Sequence, residues 1–373
     1  MTTSESETPL AERLRRRIAS NGPITFAEFV EAALYDPKDG FYSRAAIGED
    51  AHFVTSPHIS AAFGSLVAQQ IEEFWELLDR PATFTIVEGG AGTGVLARQI
   101  LEALGEPLRQ ATRYVAVERS AAVRDEMRAA RIEVAATLAE VGGGAVGCVM
   151  ANELLDNLPF HRVKAAEHGI VELFVSVDGE RFILEEGSPS SEDVSRQAPS
   201  LRVGEEGVVN LEALRFLDQA AGLLDRGYIW LVDYGWPSVE HGALVHGYRD
   251  HRVEEDVLSN PGSRDITAGV DFDALVRHGR SRGLNVWGPV TQREALMALG
   301  YEEWERTALA GQGQSLSERR GIDAIRTFSE RGRARMLVDP SGPGGFYVVC
   351  FGVGTDRPPR SVRGTSYQSS GGC

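Results

Sequence analysis

An α/β fold built on a parallel sheet is what this sequence predicts, and three observations predict it. From residue 83 onward, short β-rich runs alternate with helical segments (TFTIVEGG, VLARQILEALG, RYVAVERS, AAVRDEMRAAR, AVGCVMANE), the pattern of βαβ units. The first run ends in a cluster of glycines that leads directly into a helix. The chain has 373 residues, 42% of them hydrophobic and 25% charged, so it is long enough for a sizeable core and wholesale disorder is excluded.

The elements follow in order. Leu10, Leu14 and Ile18 recur at helical spacing, and Asn21-Gly22-Pro23 stops that helix. Its Arg13, Arg15, Arg16 and Arg17 read as a solvated face. A second helix, ITFAEFVEAALY, carries Thr25 as N-cap and Glu28 three residues on, a capping box. Asp36-Pro37-Lys38-Asp39-Gly40 is turn chemistry. Residues 43–57 read as an irregular loop ending in Thr55-Ser56-Pro57. Residues 60–79 form an amphipathic helix whose stripe Phe63, Leu66, Val67, Ile71, Phe74 and Trp75 is core. Residues 1–80 are therefore expected to be a helical cap on a core spanning 81–353.

Within that core, alternation over residues 160–186 predicts a β-meander, part of an insertion at about 160–210. LEALRFLDQAAGLLDRG is a helix, YIWLVDYG a buried strand, VDFDALVRHGRSRG a helix, LNVWGPV a strand and GFYVVCFGV the last strand. Residues 236–270 read as an irregular insertion rich in His, Gly and Arg, and loops of that length are commonly functional. A substrate-binding lid around Tyr248, Arg249 and His251 is expected there. Residues 291–337 read as a helical insertion, and 354–373 as a disordered polar tail.

Charge and composition narrow the function. Lys+Arg is 38 and Asp+Glu 54, a net charge of −16, which repels a phosphate backbone and disfavours nucleic-acid binding. The only lysines are Lys38 and Lys164, leaving few candidates for a Schiff base. Cys148, Cys350 and Cys373 are too widely spaced for a zinc site or disulfide framework, so no metal is expected. No stretch has the roughly 18 apolar residues of a membrane span. The polar, acidic start MTTSESETPL is unlike a secretory or transit signal, and a cytoplasmic protein is expected.

The sharpest motif is Glu88-Gly89-Gly90-Ala91-Gly92-Thr93-Gly94, between a strand and a helix. Glycines there let a ligand approach the backbone, and the helix N-terminus offers unpaired N–H groups. Glu118 ends the next strand, where a carboxylate can accept both hydroxyl protons of a ribose. Two cofactor classes fit. Residues 92–97 match the dinucleotide form G-x-G-x-x-A. Residues 88–94 match the E-x-G-x-G-x-G of S-adenosylmethionine methyltransferases, in which the Glu faces a cationic sulfonium. A carboxylate at that edge suits a cation better than a pyrophosphate, so Glu88 favours the second. A tight strand–helix turn with no ligand is the bland alternative.

Next, Asn152-Glu153-Leu154-Leu155-Asp156-Asn157-Leu158-Pro159 leaves the carboxyl end of a buried strand, the edge at which open α/β sheets bind ligands. Glu153 and Asp156 are three apart, so one helical turn would put both on one face. Two carboxylates suit the donor fork of a guanidinium. An N-cap with a solvated acidic turn is the competing reading. Asp233, ending VDYG, either points into the site or starts a turn, and His161 reads as structural.

Taken together these segments resemble the MidA family of class I methyltransferases, also described as the complex I assembly factor 7 family. The resemblance runs over roughly residues 10–352. It rests on GPITFAEFVEAALYDPKDGFYSR, HFVTSPHISAAFG, VEGGAGTG, VERS, NELLDNLP, VDYG, HGYRDHR, PGSRDITAGVDFDAL and TQREAL in this order. The resemblance implies a class I, Rossmann-like seven-stranded sheet with its last strand antiparallel. It implies S-adenosyl-L-methionine as methyl donor and arginine on a protein partner as acceptor. Gly90, Gly92, Gly94 and Glu118 would hold the cofactor. Thr55, Ser56 and Pro57 would close over it, and Asn152, Glu153 and Asp156 would face the acceptor. Departures from the family pattern are His58 in place of Glu, Gly89-Gly90 in place of Gly-Pro or Gly-Ala, and a last strand without lysine. The alternatives are an assembly factor that keeps the pocket without turnover and a nicotinamide-dependent oxidoreductase.

Overall fold

The computed structural model describes residues 8–44, 55–237, 245–249, 252–254, 256–317 and 321–363. The chain divides into two compact units, each assembled from three stretches of sequence.

One unit comprises residues 54–154, 217–234 and 276–373. Its centre is a sheet of β1 (Phe84–Gly89), β2 (Thr112–Val117), β3 (Glu133–Ala135), β4 (Ala145–Asn152), β5 (Leu224–Asp233), β6 (Asn285–Thr291) and β7 (Tyr347–Val353). The seven strands lie in the order β6-β7-β5-β4-β1-β2-β3. β1 to β5 run parallel, and β7 is antiparallel to both β5 and β6. This is the class I arrangement with its last strand reversed. β1 is buried along its whole length, as a strand covered on both faces must be, which explains why it reads as an unbroken apolar run.

Three expectations differ here. β3 has no counterpart in the sequence reading, because three residues are too short to carry a period. The helix Leu211–Leu223 stops before Leu224, where β5 begins; Leu224, Arg226 and Gly227 pair with Ala145, Val146 and Gly147 across an irregularity in register. The tail is not disordered from residue 354. Arg360–Val362 is a 3-10 turn with Ser361 and Val362 buried, the Arg360 N–H donates to Glu73 at 3.0 Å, and Arg357 pairs with Asp79. Residues 364–373 lie outside the described residues.

The core of this unit gathers the stripe from helix Ala61–Leu77 against the strands, including Phe63, Phe74, Ile86, Met150 and Trp230. The Phe74 ring stacks on Tyr228 with centroids 4.3 Å apart. Ser60 caps that helix, and Glu330 accepts from Ala61 N–H at 2.9 Å. The 291–337 region forms helices Gln292–Ala298, Tyr301–Ser317 and Gly321–Met336. No described helix is long and apolar enough to cross a membrane.

The other unit comprises residues 1–53, 155–216 and 235–275. Residues 1–80 are thus not one cap: the helices Pro9–Asn21 and Phe26–Tyr35 belong to this unit, and Ala61–Leu77 to the sheet unit. Gly22 at φ +88° ends the first helix, and the Thr25–Glu28 capping box starts the second with both of its hydrogen bonds in place. The meander His161–Ala166, Gly169–Asp178 and Arg181–Gly187 is antiparallel throughout. Phe26, Phe29, Leu34, Phe160, Val175 and Ile266 centre the core.

The described residues between 236 and 270 include paired strands that the sequence reading did not expect. Val245–Arg249 pairs antiparallel with both Arg252–Glu254 and Asp265–Ala268. Strands of three to five residues, broken by glycine and arginine, hide their alternation. His251 lies outside the described residues, as do the side chains of Tyr248 and Arg249.

Candidate functional site

The glycine loop leaves β1 and turns through Gly90 at φ +67°, Gly92 at +51° and Gly94 at +70°, the left-handed region that residues with a β-carbon avoid. The N–H groups of Gly90 and Ala91 donate to the Val117 carbonyl at 2.9 and 3.1 Å, tying the loop to the end of β2. A β-carbon on Gly90 would stand 2.7 Å from Leu154 Cδ1, and one on Gly94 3.0 Å from Met127 Sδ. Helix Val95–Ala103 starts at Gly94 and leaves its first-turn N–H groups without helical partners. The Thr93 Oγ1 atom is buried without a hydrogen-bond partner. A cradle that side chains would fill, with an orphaned hydroxyl at its rim, fits a cofactor that approaches backbone.

Glu118 stands at the end of β2, as the sequence reading placed it. Its Oε2 accepts from Gly92 N–H at 3.1 Å and its Oε1 from Ser120 N–H at 2.8 Å. The carboxylate is therefore fixed beside the loop by two backbone donors.

Glu88 differs from its expectation. It is buried at the end of β1, and its Oε2 accepts from the Tyr114 hydroxyl at 2.7 Å. Burial pushes its pKa up to about 8, with Tyr114 pulling the other way. Burial thus favours the neutral form of this carboxyl, with the Tyr114 hydroxyl as the partner that favours the charged one. Tyr114, its partner on β2, carried no signal in the sequence, because only pairing of β1 with β2 brings the two together.

After β4 the chain turns sharply at Glu153, whose φ is +51°. A non-glycine residue held there costs roughly 1–3 kcal/mol and persists only when its surroundings over-determine it. They do. Glu153 N–H donates to the Val232 carbonyl at 2.9 Å, and Leu154 N–H donates to Asp233 Oδ2 at 3.1 Å. Asp233, fully buried, also accepts from Tyr234 N–H at 2.8 Å. It is thus the clamp of this turn, a role left open between site and turn in the sequence. The Glu153 Oε1 accepts from Ser56 N–H at 2.7 Å and Asn152 Nδ2 at 3.0 Å. Burial raises its pKa, and these donors oppose the shift.

Ser56 thus reaches Glu153 through its backbone, while its Oγ lies 3.5 Å from Gln292 Oε1. Thr55 Oγ1 and His58 Nδ1 are 2.8 Å apart, and the Pro57 carbonyl accepts from Gln99 Nε2 at 2.8 Å. The structure brings Ser56, Asn152 and Glu153 together in the sheet unit. Asp156 falls in the other unit, on the 3-10 turn Leu155–Asn157. The expected single helical turn carrying both carboxylates does not form, because Glu153 is left-handed and the helical geometry starts only at Leu155. No cluster of three or more metal-binding side chains occurs among the described residues.

Comparisons with known proteins meet this geometry. A family model described as S-adenosyl-L-methionine-dependent methyltransferase matches residues 66–290. The chain is 30% identical to the mitochondrial protein arginine methyltransferase NDUFAF7 homolog of Drosophila melanogaster, over 90% of this chain and 82% of that one. It is 29% identical to the mitochondrial protein arginine methyltransferase NDUFAF7 of Rattus norvegicus, over 80% and 76%. Among solved structures, a Burkholderia thailandensis protein bound to S-adenosyl-homocysteine superposes with a TM-score of 0.82 at 27% identity, covering 95% of this chain and 94% of that one. The curated relatives are mitochondrial proteins, which overturns the cytoplasmic placement drawn from the N-terminal residues: a polar, acidic start carries no information about the compartment in which a folded enzyme works.

Proposed function

The chain belongs to the MidA family of S-adenosyl-L-methionine-dependent methyltransferases, and from that premise we propose that it methylates arginine side chains of a protein partner. The observation that carries this reading is the strained turn at Glu153, whose carboxyl accepts from Ser56 N–H and Asn152 Nδ2, whose own N–H donates to the Val232 carbonyl of β5, and whose neighbour Leu154 donates its N–H to Asp233. Strain held this firmly at the carboxyl end of a parallel sheet is the mark of a working residue.

Bound S-adenosyl-L-methionine supplies an electrophilic methyl group on a sulfonium. Gly90, Gly92 and Gly94 give the backbone clearance to hold it, Thr93 offers an unused hydroxyl, and Glu118 presents a carboxylate to the ribose hydroxyls. Glu88 ends β1, where the loop leaves, and is held by the Tyr114 hydroxyl. Thr55, Ser56 and Pro57 close over the cofactor, with Ser56 also tethering Glu153. Asn152 and Glu153 would orient the guanidinium so that one nitrogen can meet the methyl group. An arginine with pKa above about 12 is not deprotonated in advance. The Glu153 carboxyl instead localises charge away from the attacking nitrogen and takes up the proton once the bond has formed. A net charge of −16 favours a partner segment rich in arginine.

The test is transfer of a labelled methyl group to a synthetic glycine-arginine peptide, with the modified atom located by fragmentation mass spectrometry. Label on arginine nitrogen in the parent chain, lost in Glu153→Gln, supports the reading. Label on another residue type, or undiminished transfer in the variant, refutes it.

A further inference from the structure

The chain after Thr55 is a helix interrupted after one turn. Ser56–Ile59 is helical, Ser60 is extended at φ −158° and ψ 138°, and a new helix starts at Ala61. In an unbroken helix the Ala61 N–H would donate to the Pro57 carbonyl four residues back. The break parts that pair and leaves a donor and an acceptor to be satisfied elsewhere. Two side chains from distant parts of the sequence take them up. Gln99 Nε2 donates to the Pro57 carbonyl at 2.8 Å. Glu330 Oε1 accepts from the Ala61 N–H at 2.9 Å and from the Ser60 hydroxyl at 2.5 Å. All of these residues belong to the sheet unit.

Both side chains are themselves held. Gln99 lies on Val95–Ala103, the helix that follows the glycine loop. It sits against Gly64, where a β-carbon would stand 2.3 Å from Gln99 Cβ and 2.6 Å from its Oε1. Glycine at 64 is what lets the two helices come this close. Glu330 Oε2 accepts from Arg333 at 2.5 Å, which leaves Oε1 for the break. Replacing one backbone hydrogen bond by two ordered side chains costs conformational entropy that a continuous helix would not. The interrupted turn ends on Ser56, whose N–H has no helical partner and donates to Glu153 Oε1 at 2.7 Å.

We propose that Gln99 and Glu330 are positioning residues for the methyl-accepting site: by bridging the break at Ser60 they fix the turn whose first N–H holds the Glu153 carboxyl. The proposal rests on the reading that Glu153 serves the acceptor. Gln99 and Glu330 act through Ser56, not by contact with the acceptor.

Three variants test it. Gln99→Met removes the donor, Glu330→Met removes the acceptor, and Glu330→Gln keeps an acceptor oxygen without the charge. Each is made in the parent and in Glu153→Gln. Amide hydrogen exchange at Ser56 and the kcat and KM for the glycine-arginine peptide are measured. Gln99→Met and Glu330→Met are expected to exchange faster at Ser56 and to lower kcat about tenfold with KM changed far less, the cost of a misplaced group. Glu330→Gln is expected to recover most of what Glu330→Met loses. In the Glu153→Gln background the same changes should lower kcat less than about twofold, as expected of residues that act through one group. The two residues reach the break from different elements, so if one variant fails to fold the other decides. Unchanged exchange at Ser56 would overturn the proposal. So would an equal fractional loss of kcat with and without the Glu153 carboxyl, which marks a merely structural effect. If Glu153→Gln lowers kcat and the Gln99 and Glu330 variants do not, only the positioning role falls. If the parent transfers no methyl group to arginine, or Glu153→Gln leaves kcat unchanged, the assignment of Glu153 to the acceptor falls and takes the positioning role with it.

Discussion

Glu153 and Glu88 are both carboxyls at strand ends, Glu88 buried and Glu153 half-buried, and their surroundings set them to different tasks. Glu153 faces backbone and amide donors, and Glu88 faces one tyrosine hydroxyl. Glu153→Gln should lower methyl transfer by roughly 10²-fold, the usual loss when one preorganised polar group is removed, while S-adenosylhomocysteine binding stays close to that of the parent; steady-state assay and titration together check this. For Glu88 the prediction concerns stability. Its folded pKa of about 8 lies above the ordinary 4.5, so its neutral form is favoured by folding. That contribution is fully present below pH 4.5 and is lost as pH rises toward about 8, because the unfolded chain gives up the proton first. Glu88→Gln should therefore flatten the fall in stability across that window, and its advantage over the parent should grow from pH 5 to pH 8 in paired thermal melts. Equal slopes for both proteins would contradict the buried neutral carboxyl. At this scale the sequence was informative about position, as for Gly90, Gly92 and Gly94, whose left-handed backbone calls for glycine, and for the strand-end carboxyls Glu118 and Glu153. It was silent on Tyr114, whose role comes from a partner that only folding brings near.

Helix starts and the final turn are where single elements can be tested. Thr25 caps Phe26–Tyr35 and shares a reciprocal bond pair with Glu28, so Thr25→Ala should cost about 1 kcal/mol in urea unfolding. Ending the chain after Gly354 should cost more. It removes the buried Val362, worth about 1.5–3 kcal/mol on its own, together with the bonds from Arg360 to Glu73 and from Arg357 to Asp79. A truncated chain as stable as the full one would show that the turn at Arg360–Val362 contributes nothing. Long periodic helices and fully apolar strands were legible in the sequence because their period spans many residues. β3 and the strands between 245 and 268 were not, since three to five residues do not establish a period and pairing, rather than propensity, makes them strands. The tail was misread for a related reason: a polar composition hides the one valine that is buried.

Across the whole molecule, 54 acidic residues stand against 38 basic ones. Attraction of an arginine-rich partner by such a field is screened over about 10 Å at 0.1 M salt. The KM for a glycine-arginine peptide should therefore rise between low and moderate salt, whereas the dissociation constant for S-adenosylhomocysteine should move little; parallel salt series check this. The class I sheet was predictable from strand–helix alternation and motif order. The division into two units was not, because each unit is gathered from three separated stretches and no local signal marks that.

On the proposed function the labour is divided, the glycine loop holding the cofactor and Glu153 serving the acceptor. Calorimetric titration of S-adenosylhomocysteine into the parent, Gly90→Ala and Glu153→Gln tests it most directly. A β-carbon at Gly90 meets Leu154 at 2.7 Å and forces a left-handed alanine, so the account predicts affinity lost by at least about tenfold in that variant, for strain and clash of a few kcal/mol, with Glu153→Gln binding as the parent does. Undiminished binding by Gly90→Ala, or binding lost in Glu153→Gln alone, would contradict it.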